Sequence, residues 1–387
     1  MRKLALSDEI LLKVDKAARY IGGEVNSVMK DKNEVDIRFA MCFPDVYEIG
    51  MSNLGMMILY NMFNQREDVW CERLFSPWPD LDKVMREEKI PLFALESQEP
   101  IRDFDFLGIT IGYEMCYTNI LQVLDLSGIP LKSADRGDDF PIVIGGGACA
   151  YNPEPLAPFF DMFYIGEGET VYDALFDAYK ANKKAGGSRR DFLLAAAKIP
   201  GIYVPSLYEV TYKEDGTIAS FAPTADGVPE KVQKQLIIDM EKEYRAVEAP
   251  VVPHIKATQD RVTLEIQRGC IRGCRFCQAG MIYRPTRERD VETLKESARI
   301  MLKNTGHEEI SLSSLSSSDY SQLKELVNFL IEEFHGKAIN ISLPSLRIDA
   351  FALDVMSKVQ DVKKSSLTFA PEAGSQRLRD VINKGLT

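Results

Sequence analysis

The sequence predicts an α/β protein in two parts, a doubly wound parallel sheet followed by an incomplete (βα) barrel. Three observations predict it. Short apolar runs alternate with helical patterns as far as Ala181, a stretch rich in turns, prolines and charges then breaks the rhythm, and the alternation resumes at Arg261. At 387 residues the chain has enough material for two domains, each burying its own core.

The elements follow in order. An amphipathic helix is expected over Asp8 to Tyr20. Strands are expected in VDIRFAMC ending at Cys42, IPLFAL from Ile90, FLGITIG from Phe106 and PIVIGG from Pro141. Helices are expected over Leu54 to Asn64, Thr118 to Ser127 and Thr170 to Ala181. Strand and helix alternating in this way make parallel βαβ units, whose ligands collect beyond the C-terminal strand ends. Residues 1–205 form this first domain, and residues 206–255 read as a connector. The connector carries a hairpin with Glu214-Asp215-Gly216 at its turn.

Residues 256–387 form the second domain. Its strands are RVTLEIQRG, EISLSSL from Glu309, AINISLPSL from Ala338 and SSLTFAP from Ser365, with helices over Asp290 to Lys303, Ser321 to Phe334 and Phe351 to Val359. Roughly four strands fall short of a closed barrel, so the domain is expected to be cut off after Thr387.

A formal net charge of -11 argues against a surface built to neutralise phosphates, so nucleic acid enters only as a substrate. A local excess of arginine stands against that background: Arg261, Arg268, Arg272, Arg275, Arg284, Arg287 and Arg289. It reads equally as scattered surface ion pairs or as a device for holding an anion. The N-terminal MRKLALSDEILLKVDKAARY mixes acids with apolar residues, unlike a leader peptide, and no uncharged apolar run approaches a bilayer span. A cytoplasmic location without membrane contact is expected.

Seven cysteines, an odd number, favour metal or redox chemistry over a disulfide framework. Cys42, Cys71, Cys116 and Cys149 are dispersed. Cys270, Cys274 and Cys277 are packed into GCIRGCRFC directly after an expected strand. Three thiolates on a cubane of four irons leave one iron open to another ligand. A zinc site would want a fourth Cys or His, and the next histidine, His307, is far along the chain. Three unrelated buried thiols explain the clustering poorly.

Cys270, Cys274 and Cys277, with Phe276 before the last, resemble the signature of the radical S-adenosylmethionine (SAM) superfamily. The resemblance implies a [4Fe-4S] cluster held by these three cysteines, with SAM chelated to the open iron through its amino and carboxylate groups. An electron into the sulfonium then releases methionine and a 5′-deoxyadenosyl radical. A one-electron reductant such as flavodoxin or ferredoxin is implied as a partner, and no catalytic residue beyond the cluster ligands. Phe276 would shield the site. Similar proteins hold the SAM amine with Gly-Gly-Glu at the second strand end, where this chain has SLSSLSSSDY, leaving Ser314 as the substitute. Ser345, Glu372, Ser375 and Arg377 resemble the positions that touch SAM ribose and carboxylate. Gly374-Ser375 also fits a plain strand-to-helix turn with an N-cap. The strand expected to bind adenine does not occur in this sequence.

The first domain is similar to the cobalamin (B12)-binding domain of one large subgroup, and the whole chain most resembles an uncharacterised family within it. Asp45, Tyr47 and Gly50 have the form of the D-x-H-x-x-G motif, with tyrosine in place of the cobalt-ligating histidine. Gly145 and Gly146 would let the nucleotide tail approach the backbone. Since the three histidines, His254, His307 and His335, all lie later, bound cobalt would have no histidine ligand from this loop. Cys42, Cys116 and Cys149 fall at strand ends and admit a second reading, the auxiliary cluster of a methylthiotransferase-like enzyme. A third is a non-enzymatic iron-sulfur scaffold. The substrate is not written in the sequence.

Overall fold

A computed structural model describes residues 4–244, 246–344 and 370–387. Ser345, Arg347, the helix expected over Phe351 to Val359 and most of the strand expected from Ser365 lie outside the described residues. The chain forms two compact units, Met1–Ile237 with Val252–Thr258, and Ile238–Val251 with Gln259–Thr387. The connector is therefore shared between them.

The first unit is built on a six-stranded sheet with the order β2-β1-β3-β4-β5-β6. Its strands are β1 (Ile37–Phe43), β2 (Val69–Phe75), β3 (Phe106–Thr110), β4 (Ile142–Gly146), β5 (Met162–Tyr164) and β6 (Ile202–Tyr203). The first five are parallel, and β6 runs antiparallel to β5. Alternate side chains leave opposite faces of a strand. Phe39 accordingly stacks on Phe106 and meets Phe63 and Phe176 edge-on, the last two coming from the helices Leu54–Asn64 and Tyr172–Lys184. Ala40, Cys42, Leu107 and Val143 join the cluster with Leu81 and Ile120 from the helices Pro79–Glu88 and Tyr117–Leu126. Both faces are covered, as a doubly wound sheet requires.

Two expectations fail here, and a strand forms where none was expected. IPLFAL is no strand: Phe93 makes one isolated bridge to Pro100, and the neighbouring residues turn. The strand beside β1 is instead β2, VWCERLF, whose Glu72 and Arg73 look unsuited to a core. Both are fully buried and paired, Glu72 to Arg38, and Arg73 to Glu24 and Glu96. The helix expected over Asp8 to Tyr20 shrinks to Asp8–Leu11 and a turn at Ala17–Arg19. Tertiary bonds override its periodicity, since Asp80 takes the backbone N–H of Asp15 at 2.8 Å while Lys16 and Arg19 reach Glu48 at 2.9 Å.

Beyond β6, β7 (Tyr208–Tyr212) and β8 (Ile218–Pro223) form the hairpin, with Gly216 at φ 79° in its turn. The second unit carries the parallel order β13-β12-β9, made of β9 (Val262–Glu265), β12 (Glu309–Ser313) and β13 (Asn340–Ser342). Val262, Leu264, Ile310, Leu312 and Ile341 pack on Leu294, Ala298, Leu326 and Leu330 from the helices Val291–Thr305 and Leu323–Glu333. Asp290 caps the first of these helices and Gly306 ends it in the left-handed region.

Candidate metal centre

The cysteine segment is an excursion pinned at its base. After β9 the chain enters β10 (Gln267–Arg268), which pairs antiparallel with β11 (Arg287–Glu288). The intervening loop leaves through Gly269, at φ 82°. A Cβ there would lie 2.6 Å from the carbonyl oxygens of both Tyr283 and Pro285, so only glycine fits.

An irregular loop leaves carbonyls that no ladder satisfies. The arginines answer this need. Arg287 donates to the carbonyls of Pro285 and Tyr283 at 3.0 and 3.2 Å, and Arg284 to that of Arg272 at 3.0 Å. Arg275 donates through its guanidinium to Val381 O and through its backbone to Ile382 O. Arg261, Arg268 and Arg272 pair with Glu309, Glu265 and Asp319, and Arg289 lies over the Tyr244 ring at 4.3 Å. The excess of arginine is thus used largely on internal carbonyls and carboxylates.

Within this frame Cys270, Cys274 and Cys277 are free and half-buried. The Arg272 N–H donates to Cys270 Sγ at 3.4 Å and the Gly280 N–H to Cys277 Sγ at 3.3 Å, while the Cys277 N–H closes a turn onto Cys274 O at 3.1 Å. Backbone donors aimed at sulfur help to orient a metal-ligating cysteine. Among the described residues no three His, Cys, Asp or Glu side chains gather about a point suited to one ion. A cubane presents its ligand sulfurs farther apart than a single ion does. Three reduced thiols on one pinned loop, two of them accepting N–H bonds, fit a [4Fe-4S] cluster.

Two other segments meet this loop. In the serine loop after β12, the hydroxyls of Ser314 and Ser317 lie 3.0 Å apart, Ser317 donates to Pro344 O, and Ser316 O accepts from Gln267 Nε2 at 3.0 Å. Asp319 grips Arg272. From the C-terminal segment, Asn383 Nδ2 donates to Gly273 O at 2.8 Å, and Lys384 lies 5.9 Å from the centre of the exposed Phe276 ring. Glu372 holds Lys384 at 3.2 Å. Ser375 caps the helix Gln376–Val381 by accepting from the Leu378 N–H, the plain turn that the sequence also allowed. Arg377 is exposed. Sequence reasoning passed over Gln267, Asp319 and Lys384; an acid closing a run of serines was the one available signal.

The cobalamin set fares differently. Asp45 Oδ2 accepts from the Tyr113 hydroxyl at 2.5 Å, a bond that helps push the Tyr113 pKa up to about 12. Tyr47 is buried, donates to Glu24 at 2.9 Å and accepts the His254 N–H at 3.3 Å. A Cβ on Gly50 would strike Phe75, and one on Gly145 would press on Ile111, Phe163 and Phe160. Those two glycines make room for the protein's own side chains. Gly146 alone among them faces space, with its nearest neighbour 4.0 Å away. Tyr47, Gly50 and Gly145 are thus each engaged by the chain's own side chains or backbone.

Cys42, Cys116 and Cys149 are 0%, 1% and 7% exposed and belong to the apolar core. Burial raises all three thiol pKa values, that of Cys149 to about 11 with help from the nearby Glu114 and Cys116.

A family model described as the N-terminal part of radical SAM proteins matches residues 55–205, and that of the radical SAM superfamily matches residues 264–387. The chain belongs to the radical SAM superfamily. An uncharacterised protein of Methanocaldococcus jannaschii is 28% identical over 348 residues, covering 90% of this chain and 63% of the relative. A second protein of that archaeon, provisionally named a methylthiotransferase, is 26% identical over 175 residues, or 41% of this chain and 38% of its own. The chain thus spans less than two thirds of the length of these relatives. Among solved structures, the cobalamin-dependent SAM radical enzyme OxsB, bound to aqua-cobalamin and SAM, is similar with a TM-score of 0.56 and 15% identity, over 91% of this chain and 46% of OxsB. The radical SAM methyltransferase TsrM of Kitasatospora setae, bound to tryptophan and aza-SAM, gives a TM-score of 0.50 and 14% identity, over 90% and 62%. These likenesses establish the shared fold. No helix among the described residues is long and apolar enough to cross a membrane.

Proposed function

We propose that this chain is the cluster-bearing part of a radical SAM enzyme, in which Cys270, Cys274 and Cys277 hold a [4Fe-4S] cluster that cleaves SAM reductively. The observation that carries the reading is the pinned loop, with three free, half-exposed thiols and backbone donors to two of them, in a segment matched by the superfamily model. When bound, the cluster would supply the electron for breaking the sulfonium bond. The chain's own residues then have three tasks. Gly269 and Arg287 hold the loop's entry and return, Lys384 lies against the Phe276 ring from the C-terminal side, and Ser314 is left to meet the SAM amine, since Ser317 is buried and donates to Pro344 O.

No step is routed through cobalamin: the fold shared with OxsB supports it, and the internal partners of Tyr47, Gly50 and Gly145 weigh against it. The methylthiotransferase reading has the second archaeal relative in its favour and the burial of Cys42, Cys116 and Cys149 against it. Anaerobic reconstitution tests the proposal. About four irons per chain, an electron paramagnetic resonance signal altered by SAM, and 5′-deoxyadenosine formed under reduction are expected. A signal indifferent to SAM would refute it. Near eight irons would favour the auxiliary cluster, and bound corrinoid with four irons would restore cobalamin.

A further inference from the structure

The serine loop and the cysteine loop meet at one carboxylate. Asp319 takes Arg272 in a two-point grip, with Nε donating to Oδ2 at 2.9 Å and Nη2 to Oδ1. Its side chain is 8% exposed, and its Oδ2 also accepts from Ser316 Oγ at 2.7 Å. The backbone of Asp319 donates to Ser316 O, the same oxygen that Gln267 Nε2 holds from β10. The carboxylate is thus fixed from its own loop and from the strand end before it meets Arg272.

Arg272 is anchored at its other end by Arg284, which donates to its carbonyl at 3.0 Å. Between these anchors lies the Arg272 N–H, directed at Cys270 Sγ. We propose that Asp319 is a positioning residue for the iron-sulfur site, acting through Arg272 on the sulfur of Cys270. The inference rests on the proposed function. Hydrogen bonds to cluster sulfurs and the net charge around them set a cluster's reduction potential, since reduction adds one negative charge. The Arg272 guanidinium and its N–H both favour the reduced state. The Asp319 carboxylate opposes it by charge while holding the donor in place. Arg-carboxylate pairs gripped at two points are geometrically specific, so the grip fixes both the charge and the donor.

Arg272→Gln removes the positive charge and slackens the donor, which makes the midpoint potential of the [4Fe-4S] couple more negative. Asp319→Asn removes the opposing charge but also releases the two-point grip. A positioning role therefore shows as dependence on Arg272: the shift that Asp319→Asn causes in the unaltered chain is more negative than the shift it causes in Arg272→Gln, where no guanidinium is left to hold. The experiment is a redox titration of the reconstituted full chain, followed by electron paramagnetic resonance, with iron and sulfide counted on the same samples. A role confined to folding lowers the iron count and leaves the midpoint of the loaded fraction where it was. Unmoved midpoints in loaded variants, or an Asp319→Asn shift equal in the two backgrounds, overturn the inference alone. An unaltered chain that takes up no reducible cluster overturns the proposed function and the inference together. Where Arg272→Gln loads no iron, Arg272→Lys, which keeps the charge but not the two-point grip, supplies the second background.

Discussion

Each unit carries three cysteines at or just beyond the C-terminal ends of parallel strands, and the two sets live in opposite surroundings. Cys42, Cys116 and Cys149 are enclosed by the apolar core of the first sheet, where burial raises the cost of ionising them. Cys270, Cys274 and Cys277 stand half-exposed on a loop, and two of their sulfurs accept backbone N–H bonds. Placement at a strand end does not make a thiol a ligand. What separates the sets is whether the sulfur stands half-exposed beside backbone donors or is enclosed among hydrocarbon side chains.

The largest effect that tests this contrast is total. Cys274→Ser should abolish the cluster, with iron analysis and electron paramagnetic resonance near background and the circular dichroism of both sheets unchanged. A smaller effect is expected from Gly269→Ala, which forces a side chain against two carbonyls at a positive φ. It should cost about 2 kcal/mol or more in denaturant unfolding and lower the iron taken up. Cys116→Ala should cost about 1 kcal/mol, the scale of a small deletion in an apolar core, and leave the iron count untouched. A count that falls by half in Cys116→Ala would break the comparison and move the first set among the ligands.

The smallest expected effect concerns acid and the first unit alone. Burial works to raise the Glu48 pKa, but hydrogen bonds from Arg19 and Lys16 outweigh it and hold the group at about 2. A folded value below the unfolded one means that its contribution is complete above about pH 4.5. It is lost as the pH falls from there towards 2. Unfolding followed between pH 6 and 2 should show Glu48→Gln less stable near neutrality and less sensitive to acid. Parallel curves for the two proteins would contradict this.

Legibility in the sequence followed the kind of interaction. The helix at Leu54–Asn64 was readable because apolar spacing and the Asn53 cap are local, and the cysteine loop because three ligands share one short segment. β2 was hidden because Glu72 and Arg73 disguise a buried strand. Their partners, Arg38, Glu24 and Glu96, are distant in sequence, and only the fold brings them together. The same limit concealed Asp319 and Lys384, whose importance lies in what they touch. The glycines at 50 and 145 show a related limit. A missing Cβ says that something approaches closely, and the sequence does not show that aromatic rings of the chain itself do so here.

The hairpin that closes the cysteine loop has a consequence for the life of the protein under oxygen. Domains whose metal ligands hold the core together unfold when the metal leaves. Here none of the three cysteines belongs to the hydrophobic cluster of the second unit, and β10 with β11 closes the loop without any metal. Damage to the cluster should then empty the loop while the sheet beneath it stays folded. On the proposed function, the emptied polypeptide should then accept a new cluster without refolding.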